Sequence, residues 1–470
     1  MKLLRSGVPF ILLISTFILL MSVPIWIKAS RFCYDYYDLG IYSQGLSQLR
    51  WGSWNPWLSG RQIALFADHF DPILLLAAPI ARQFRMPFGA LLAEDCFVVA
   101  AILPLGWLVR RGELAPSGGL LLGALLLFNR ATLNAVDFPV HPTTWALFPW
   151  MWVIAALKRS QWLSRASGLV AGLVLLFACK EEFPFVGVVL GSLMMVRKRV
   201  RDGLSVLVLS LLWIAFAFWL RPHWVGPTHD YASGLFHGIT QHPLRLVIQH
   251  LSSLDLWGTT LLTVLPFTPL VVWCAKEKLR PDFLPFALLL PPLAIRFLAN
   301  AWLYHYGSVI ASGLVGGMVF WIGTRKVPRR VSFAAVALLI MTNGLQIRRT
   351  VRAISSQFTQ DLSDACSAEP RRLLALRESL AVMRSAPGPL LLESNLMPPL
   401  AERSDIYMLF GPGTHRTFRA VLVEKPPQGS PWPLSLEALN NKIISWRADP
   451  KIHVLRDDPS VFMAEGNISP

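Results

Sequence analysis

Apolar residues recur along most of this chain in runs of about 20, which is the length that a helix needs to cross the hydrocarbon core of a bilayer. The composition agrees, since 54% of the 470 residues are hydrophobic, only 15% are charged and the mean hydropathy is +0.47. We therefore expect an all-α polytopic membrane protein rather than a soluble one. Taken in order, the runs predict eleven transmembrane helices, near residues 8–28, 88–109, 118–136, 143–158, 165–180, 183–197, 203–221, 258–275, 283–299, 307–323 and 331–347.

Basic residues occur in short clusters between these runs, and the clusters fall at alternate crossings. Cytoplasmic loops of membrane proteins carry an excess of Lys and Arg, so we expect the N-terminus inside and the C-terminus outside. These loops account for the net charge of +16, and no basic stripe with stacking aromatic residues indicates nucleic-acid binding. The clusters are Lys2 and Arg5; Arg110 and Arg111; Lys158 and Arg159; Arg197, Lys198, Arg199 and Arg201; Lys276, Lys278 and Arg280; and Arg325, Lys326, Arg329 and Arg330.

Two polar regions interrupt the apolar pattern and define the predicted domains. A transmembrane domain, residues 1–347, contains a large first outer loop at 29–87, whose apolar stretch 72–87 is expected to dip into the membrane without crossing it. Residues 348–470 are predicted to form a small α/β appendage outside the cell. Its sequence predicts a helix at 373–384 and short strands at 389–394, 405–410, 419–425 and 451–458, separated by Pro and Gly turns.

The five cysteines show neither a CxxC motif nor a Cys/His spacing, so the sequence gives no zinc signal. Cys33 and Cys366 are both predicted to lie outside, where a disulfide could form. Nothing in their spacing favours pairing, and we expect two unpaired thiols.

Acidic, basic and His residues lie at the predicted outer ends of the apolar runs, where four polar clusters fall on one face. Ionisable residues near membrane depth are costly and usually face a cavity, so this convergence favours a functional pocket. The alternative is that each cluster simply lies at a helix end among the lipid headgroups. The clusters are Asp35, Asp38, Asp68, His69 and Asp71 in the first outer loop; Asp137 and His141 after the third run; Lys180, Glu181 and Glu182 between the fifth and sixth; and Tyr304, His305 and Tyr306 before the tenth.

Each cluster has a structural and a chemical interpretation. The Lys-Glu-Glu cluster could be a self-neutralised ion group, or it could supply a cation for a phosphate and carboxylates for a metal or a proton. Asp137 and His141 could offer ligands to Mg²⁺ or Mn²⁺, or they could form a Pro-rich turn with a capping Asp. His69 could act as an acid or a base, or could contact a phosphate.

The motifs YDLGIYSQ, HFDP, DFPVHP, KEE and YHYG resemble those of an uncharacterised family of bacterial and archaeal multispanning membrane proteins with a domain of unknown function. That family is distantly similar to the GT-C glycosyltransferases, and the resemblance covers most of the chain. GT-C enzymes use sugars linked to a lipid phosphate, with an acid in the first outer loop as base or metal ligand. The resemblance therefore implies that Asp38, or else Asp35, is this acid, and that the protein lies in a bacterial or archaeal cytoplasmic membrane.

The clusters and the resemblance together favour a membrane glycosyltransferase that transfers a sugar from a polyprenyl-phosphate donor to a lipid, glycan or protein acceptor of the cell envelope. A transporter or flippase for a lipid or an anionic solute, and a non-catalytic envelope scaffold, are the alternatives. The expected catalytic residues are Asp38, Asp35 and His69; the expected donor-phosphate ligands are Lys180, His305 and Asp68; and the expected Mg²⁺ or Mn²⁺ ligands are Asp137, His141, Glu181 and Glu182.

Overall fold

The structure is a computed structural model, and it is mostly helical with a small β-sheet near the C-terminus. The chain divides into two compact units, which we describe separately. The helical unit comprises Met1–Ser22, His69–Leu74 and Glu94–Arg349; the mixed unit comprises Val23–Asp68, Leu75–Ala93 and Thr350–Pro470. The structure describes residues 7–34, 36–50, 52–158, 162–226, 228, 248, 251–299, 307–359, 369–409, 417–425 and 435–469.

Helices account for nearly all of the regular structure in the helical unit. Three helices among the described residues have residues in both units: Leu74–Ala81, Phe88–Ala100 and Arg329–Thr359. The helices of the helical unit itself are Val8–Phe17, Leu103–Arg110, Pro116–Leu127, Arg130–Asp137, Pro142–Trp145, Leu147–Lys158, Trp162–Phe177, Pro184–Val196, Val200–Ala215, Arg221–Val225, Leu254–Val264, Thr268–Lys276, Leu284–Ala287, Leu290–Ala299 and Ser308–Ile322, with π turns at Ile18–Ser22 and Phe216–Leu220 and a 3₁₀ turn at Leu265–Phe267.

Four helices among the described residues are long and apolar enough to cross a membrane: Val8–Ser30, Phe88–Arg110, Val200–Val225 and Leu256–Lys276. A fifth is obtained if the helix pair on either side of Asn129, bent by 43°, counts as one span. Asn129 causes this break because its side-chain oxygen accepts a hydrogen bond from the Ala131 N–H at 3.0 Å and so caps a new helix. The prediction of a helical membrane protein is confirmed, whereas the eleven crossings remain a prediction.

Small residues bring the helices Pro184–Val196 and Val200–Ala215 into close contact. A Cβ atom on Gly191 would lie 2.8 Å from the Gly203 carbonyl oxygen, and one on Gly203 would lie 2.6 Å from the Gly191 oxygen. A Cβ atom on Gly187, four residues before Gly191, would lie 2.2 Å from the Ser210 side-chain oxygen. This small-xxx-small spacing lets two backbones approach where lipid gives no hydrophobic drive for association, so shape and dispersion hold the hairpin together.

Several basic loops lie together at one end of the helical unit. Arg197 donates two hydrogen bonds to Asp282, at 3.1 and 2.8 Å, and so joins the loops after Val196 and after Lys276. One cavity is lined by Lys158 and by the loops that follow Arg110 and Ile322. Their meeting agrees with the prediction from charge that the basic clusters share one side of the membrane.

The described residues of the mixed unit contain seven strands: β1 Trp57–Leu58, β2 Ile63–Ala64, β3 Leu390–Leu392, β4 Ile406–Met408, β5 Phe418–Glu424, β6 Ile452–Asp457 and β7 Val461–Ile468. β1 and β2 form an antiparallel hairpin, and the other five form a sheet in the order β4-β3-β5-β7-β6. β3 is parallel to both β4 and β5, while β7 is antiparallel to β5 and β6. The small C-terminal sheet is thus confirmed, and β7 is the strand that the sequence pattern did not reveal. The helices of this unit include Val23–Ser30, Ile41–Gln48, Leu65–Asp68, Pro370–Ser385 and Leu436–Ala448, with a π turn at Tyr36–Gly40 and 3₁₀ turns at Ser394–Leu396 and Pro398–Leu400.

Most of the first outer loop, all but His69–Leu74, is part of the same compact unit as this sheet. Gln44 donates to Ser59 Oγ at 2.8 Å and to the Arg403 carbonyl at 3.0 Å, and Ser59 in turn donates to the Ile406 carbonyl at 2.6 Å. Gln44 and Ser59 are fully buried. Because buried amides and hydroxyls must be hydrogen-bonded, these contacts fix the loop against β4.

A charged network lies in the core of the mixed unit. Arg372 forms an ion pair with Glu424 and donates to the Arg31 carbonyl at 3.2 Å. Asn395 donates to the second oxygen of Glu424 at 2.7 Å, and Glu393 accepts from the Glu424 N–H at 2.7 Å. All four of these residues from the C-terminal region are buried, and we call them the buried network.

Cysteine chemistry differs from the sequence expectation at one position. Cys33 is disulfide-bonded, so the expectation of a free thiol there is wrong. Cys96, Cys179 and Cys274 are free, and Cys366 lies outside the described residues. Structural disulfides persist in oxidising compartments, which agrees with the first outer loop being extracytoplasmic.

Candidate functional site

A dense group of ionisable side chains in the helical unit forms where the segment His69–Leu74 packs on the turn 178–183. The Ile73 N–H donates to the Ala178 carbonyl at 2.9 Å, and the Phe70 N–H donates to Glu181 Oε2 at 3.1 Å. Pro184 begins the next helix, so the preceding residues are released from helical hydrogen bonding and can present their side chains.

His69 and Glu181 form the first ion pair of this site. His69 Nδ1 lies 3.0 Å from Glu181 Oε1, and their side chains retain 21% and 15% exposure. Burial and the nearby Lys180 lower the pKa of His69, but Glu181 and Asp71 together raise it by more, so the net pKa lies above its usual value. Burial raises the pKa of Glu181, but His69 and Lys180 lower it by more. The net pKa lies below its usual value, so this carboxylate stays ionised. The pair is therefore a carboxylate beside an imidazole that readily holds a proton.

Glu182 and Arg296 form the second ion pair. The Arg296 guanidinium donates to both Glu182 oxygens, at 2.6 and 3.1 Å, and Arg296 is almost fully buried. Burial raises the pKa of Glu182, but Arg296 and then Lys180 outweigh this effect and lower it. A planar guanidinium that binds a carboxylate through two parallel bonds fixes the orientation of both groups.

Lys180, Asp71 and Arg221 complete the site, and all three are buried. Lys180 acts electrostatically on His69, Glu181 and Glu182 at once. The Arg221 guanidinium lies 5.9 Å from the Phe70 ring centroid, in a cation–π contact. We call the seven ionisable residues the polar cluster: His69, Asp71, Lys180, Glu181, Glu182, Arg221 and Arg296.

Asp137 and His141 lie in a different environment of the helical unit. Asp137 ends the helix Arg130–Asp137 and is half-buried. His141 is buried; its N–H donates to Glu94 Oε2 at 3.0 Å, and its Nδ1 accepts from the Thr143 N–H at 3.4 Å. His141 therefore serves as the N-cap of the helix Pro142–Trp145.

The four expected metal ligands do not fit a metal site in this arrangement. Glu181 is bonded to His69 and to the backbone, and Glu182 is bonded to Arg296. Among the described residues, no three His, Cys, Asp or Glu side chains are arranged to hold an ion. Asp137, His141, Glu181 and Glu182 are thus not brought together as ligands, and we derive no chemistry through a metal.

The candidate acids of the first outer loop belong to the mixed unit. Asp38 is half-buried in the π turn Tyr36–Gly40 and has a φ of +57°, a left-handed conformation that is uncommon for a residue with a side chain. Asp68 is buried and accepts a hydrogen bond from Arg61 at 3.1 Å. Asp35 and His305 lie outside the described residues.

Arg221 and Arg296 are the site residues that the sequence reasoning missed. Each lies within or at the end of an apolar run, FAFWLRPHW and LPPLAIRFLAN respectively. A charged residue within an apolar run indicates a buried partner, and the sequence shows this pattern at both arginines. The pairing of Arg296 with Glu182, which lies 114 positions earlier, was not available.

Comparison with solved structures places the chain among proteins of the GT-C fold. ArnT from Cupriavidus metallidurans bound to undecaprenyl phosphate superposes with a TM-score of 0.55 at 12% identity, covering 98% of each chain. The apo state of the same enzyme gives a TM-score of 0.53 at 14% identity, again over 98% of each chain. The arabinofuranosyltransferase AftD from Mycobacteria gives 0.49 at 11% identity, over 99% of this chain and 40% of that one, too low to support an argument.

These identities establish similarity of fold and nothing more specific. No curated protein sequence matches the chain. A family model, described as "Predicted membrane protein (DUF2079)", matches residues 28–446. The match spans most of the sequence, from the end of the first apolar run to the last helix. The chain therefore belongs to the DUF2079 family of predicted membrane proteins, with a distant GT-C fold similarity.

Proposed function

We propose that this protein is a membrane glycosyltransferase that transfers a sugar from a polyprenyl-phosphate donor to an envelope acceptor at the outer face of the membrane. The observation that supports this most directly is the polar cluster, in which Lys180, Arg221 and Arg296 are all buried. When His69 is protonated the cluster has four cations against three carboxylates, so it holds one more positive than negative charge. An excess buried charge is costly, and a lipid phosphate would neutralise it. The solved structure of ArnT, which has a similar fold, is bound to undecaprenyl phosphate.

In this proposal Lys180 and Arg221 bind the phosphate, while the two carboxylates of the Lys-Glu-Glu cluster hold their neighbours in place. Glu182 orients Arg296, and Glu181 orients His69. His69, which holds a proton readily beside Glu181, donates a hydrogen bond to the phosphate and stabilises its charge as the sugar leaves. The Arg296 guanidinium is held in place by its planar pairing with Glu182. The Lys180 ammonium is on a flexible stem and can follow the charge that develops on the phosphate.

The transfer step conserves atoms and charge as follows. The oxygen of an acceptor hydroxyl attacks the anomeric carbon of the sugar and forms the new glycosidic bond. The bond between that carbon and the donor phosphate oxygen breaks, and the electron pair leaves with polyprenyl phosphate. The hydroxyl proton passes to a carboxylate base, for which Asp38 is our candidate by its position in the first outer loop; Asp35 is the second choice.

The topology that accompanies this proposal has eleven crossings, with the N-terminus in the cytoplasm and the C-terminus outside. It is supported by the meeting of the basic loops at one end of the helical unit and by the disulfide at Cys33. Four residues of the polar cluster lie in segments between the predicted runs on the outer side, and Lys180, Arg221 and Arg296 lie at or near the outer ends of the predicted runs.

Mass spectrometry of lipids that co-purify with the protein in mild detergent tests the donor site. We expect wild type to carry a polyprenyl phosphate, and Lys180→Ala to lose roughly 10- to 150-fold of it, since hydrogen bonds to charged groups contribute about 1.5–3 kcal/mol. Lys276→Ala is the matched control, because Lys276 is exposed at the end of a helix among the basic loops. Only bulk phospholipid in all three proteins would contradict the donor site and favour a transporter or a scaffold.

Transfer itself is tested once the mass of the retained lipid names the donor. The donor is supplied in liposomes to wild type, Lys180→Ala and Asp38→Asn. Asn tolerates the left-handed backbone at position 38, so Asp38→Asn removes the base without adding strain. We expect both variants to lose transfer while Asp38→Asn still retains lipid. Transfer at the wild-type rate in both would refute these residue roles.

A further inference from the structure

A polar cavity lies in the helical unit at the end where the basic loops meet. Its volume is about 430 Å³, within the range of sites for small ligands. The ends of three helices surround it: Glu113 follows Leu103–Arg110, Lys158 ends Leu147–Lys158, and Arg325 follows Ser308–Ile322. The Ala115 N–H donates to the Gly323 carbonyl at 3.1 Å and ties two of these walls together.

The charges in this cavity are of both signs. Lys158 and Arg325 supply two cations, and the Lys158 ammonium is oriented by the Phe320 ring, 4.9 Å away. Glu113 supplies a carboxylate whose Oε2 atom is buried and has no hydrogen-bond partner in the part of the chain that the structure describes. A buried acceptor without a donor is costly, so a ligand that brings an N–H or O–H group to Glu113 would be favoured.

An apolar slot of about 240 Å³ lies along two of these helices, Leu103–Arg110 and Leu147–Lys158. Ala155 lines the slot and Lys158 lines the polar cavity, and their i, i+3 spacing places them on one face of the helix. Arg111 lines the slot beside Trp107, at 5.6 Å from that ring, and precedes Gly112 and Glu113 of the cavity. Trp107 and Trp152, which both line the slot, are typical of the membrane–water interface.

We propose that this cavity binds the headgroup of a bilayer phospholipid of the phosphatidylethanolamine class. The phosphodiester is held by Lys158 and Arg325, the ammonium group donates to Glu113, and the start of an acyl chain fills the slot beside Ala155. Basic pockets between helices on the cytoplasmic side are suited to phospholipid headgroups, and the Glu113 carboxylate selects one that also carries a donor. The site is separate in sequence and chemistry from the polar cluster and does not depend on the function proposed for it.

Thermal unfolding of the full chain in a nonionic detergent tests the proposal with defined probes. We expect short-chain phosphatidylethanolamine to raise the unfolding midpoint in a saturable way, and inorganic phosphate at the same concentration not to do so. Lys158→Ala with Arg325→Ala should abolish the shift, and Glu113→Gln should weaken the preference for phosphatidylethanolamine over phosphatidylglycerol by roughly tenfold in apparent affinity.

Lys326→Ala is the matched control, since Lys326 is exposed and adjacent to Arg325 but does not line the cavity. Its lipid-induced shift should equal that of wild type. An equal shift from inorganic phosphate would overturn the lipid assignment in favour of a free anion. An equal lipid-induced shift in the double variant would overturn the site. If the double variant fails to fold, Arg325→Ala alone replaces it, because an exposed Arg325 can be truncated without leaving a cavity.

Discussion

The polar cluster of the helical unit and the buried network of the mixed unit both place acids and bases inside the protein, yet they differ in how completely they are enclosed. In the buried network, the side chains of Arg372 and Glu424 are 3% and 0% exposed. In the polar cluster, His69 and Glu181 are 21% and 15% exposed. An ion pair that is fully enclosed by protein, such as Arg372 with Glu424, acts structurally, whereas a partly open cluster with an excess of cations can still accept a ligand.

The two groups also differ in what they connect. The buried network joins β5, the helix Pro370–Ser385 and the backbone carbonyl of Arg31, all within one unit. The polar cluster gathers charges around the turn 178–183, between two apolar helices. Charge burial alone therefore does not identify a functional site in this protein. The exposure of the charged side chains, and an excess of cations over carboxylates, are the better criteria.

The largest expected effect is on the buried network. Arg372→Ala leaves the Glu424 carboxylate buried without its cation, and such losses cost about 3–5 kcal/mol. We expect loss of the cooperative unfolding transition of the mixed unit, measured by thermal denaturation and limited proteolysis. Arg371→Ala is the control, because Arg371 is exposed. If the two variants unfold alike, the network is not the structural element we describe.

A smaller effect is expected from the pH dependence of the polar cluster. The pKa of His69 is raised above its usual 6.5, so its stabilising contribution is complete below pH 6.5 and is lost as the pH rises through the raised pKa. The pKa of Glu181 is lowered from 4.5, so its contribution is present above that pH and is lost only on acidification below it. The pair is therefore most stabilising from about pH 4.5 to somewhat above pH 6.5.

This window is measured by comparing Tm against pH in wild type and His69→Gln. Between pH 6.5 and about pH 8.5 we expect the Tm of wild type to fall by on the order of 2 °C more than the Tm of His69→Gln. The effect is small because the Tm of a chain of this size changes by only a few degrees per kcal/mol. His223→Gln, at an exposed position, should follow wild type. Parallel curves for wild type and His69→Gln would show that the pair does not titrate in this range.

An effect of intermediate size concerns the hydrogen bonds that fix the first outer loop to the sheet. Ser59→Ala removes a hydroxyl that accepts from Gln44 and donates to the Ile406 carbonyl, at a cost of about 1–3 kcal/mol. Denaturant unfolding should show a lower midpoint with an unchanged slope. Ser53→Ala, at a half-buried position in the same loop, is the control. An unchanged midpoint in Ser59→Ala would mean that the loop is held by other contacts.

The sequence by itself determined the class of this protein and the position of its chemistry along the chain. Runs of about 20 apolar residues indicate membrane helices because the bilayer thickness sets that length. Clustered Lys and Arg indicate the shared side of the basic loops, and Lys180, Glu181 and Glu182 stood out because charges are rare among apolar residues.

The tertiary structure alone decided which of these residues meet. It pairs His69 with Glu181 and Glu182 with Arg296, bonds His141 to Glu94, and joins the first outer loop to a sheet more than 300 residues later. Local periodicity reports the environment of a residue within a few turns of its own element. Contacts between distant segments depend instead on how the elements pack, and only that packing determines which charge lies beside which.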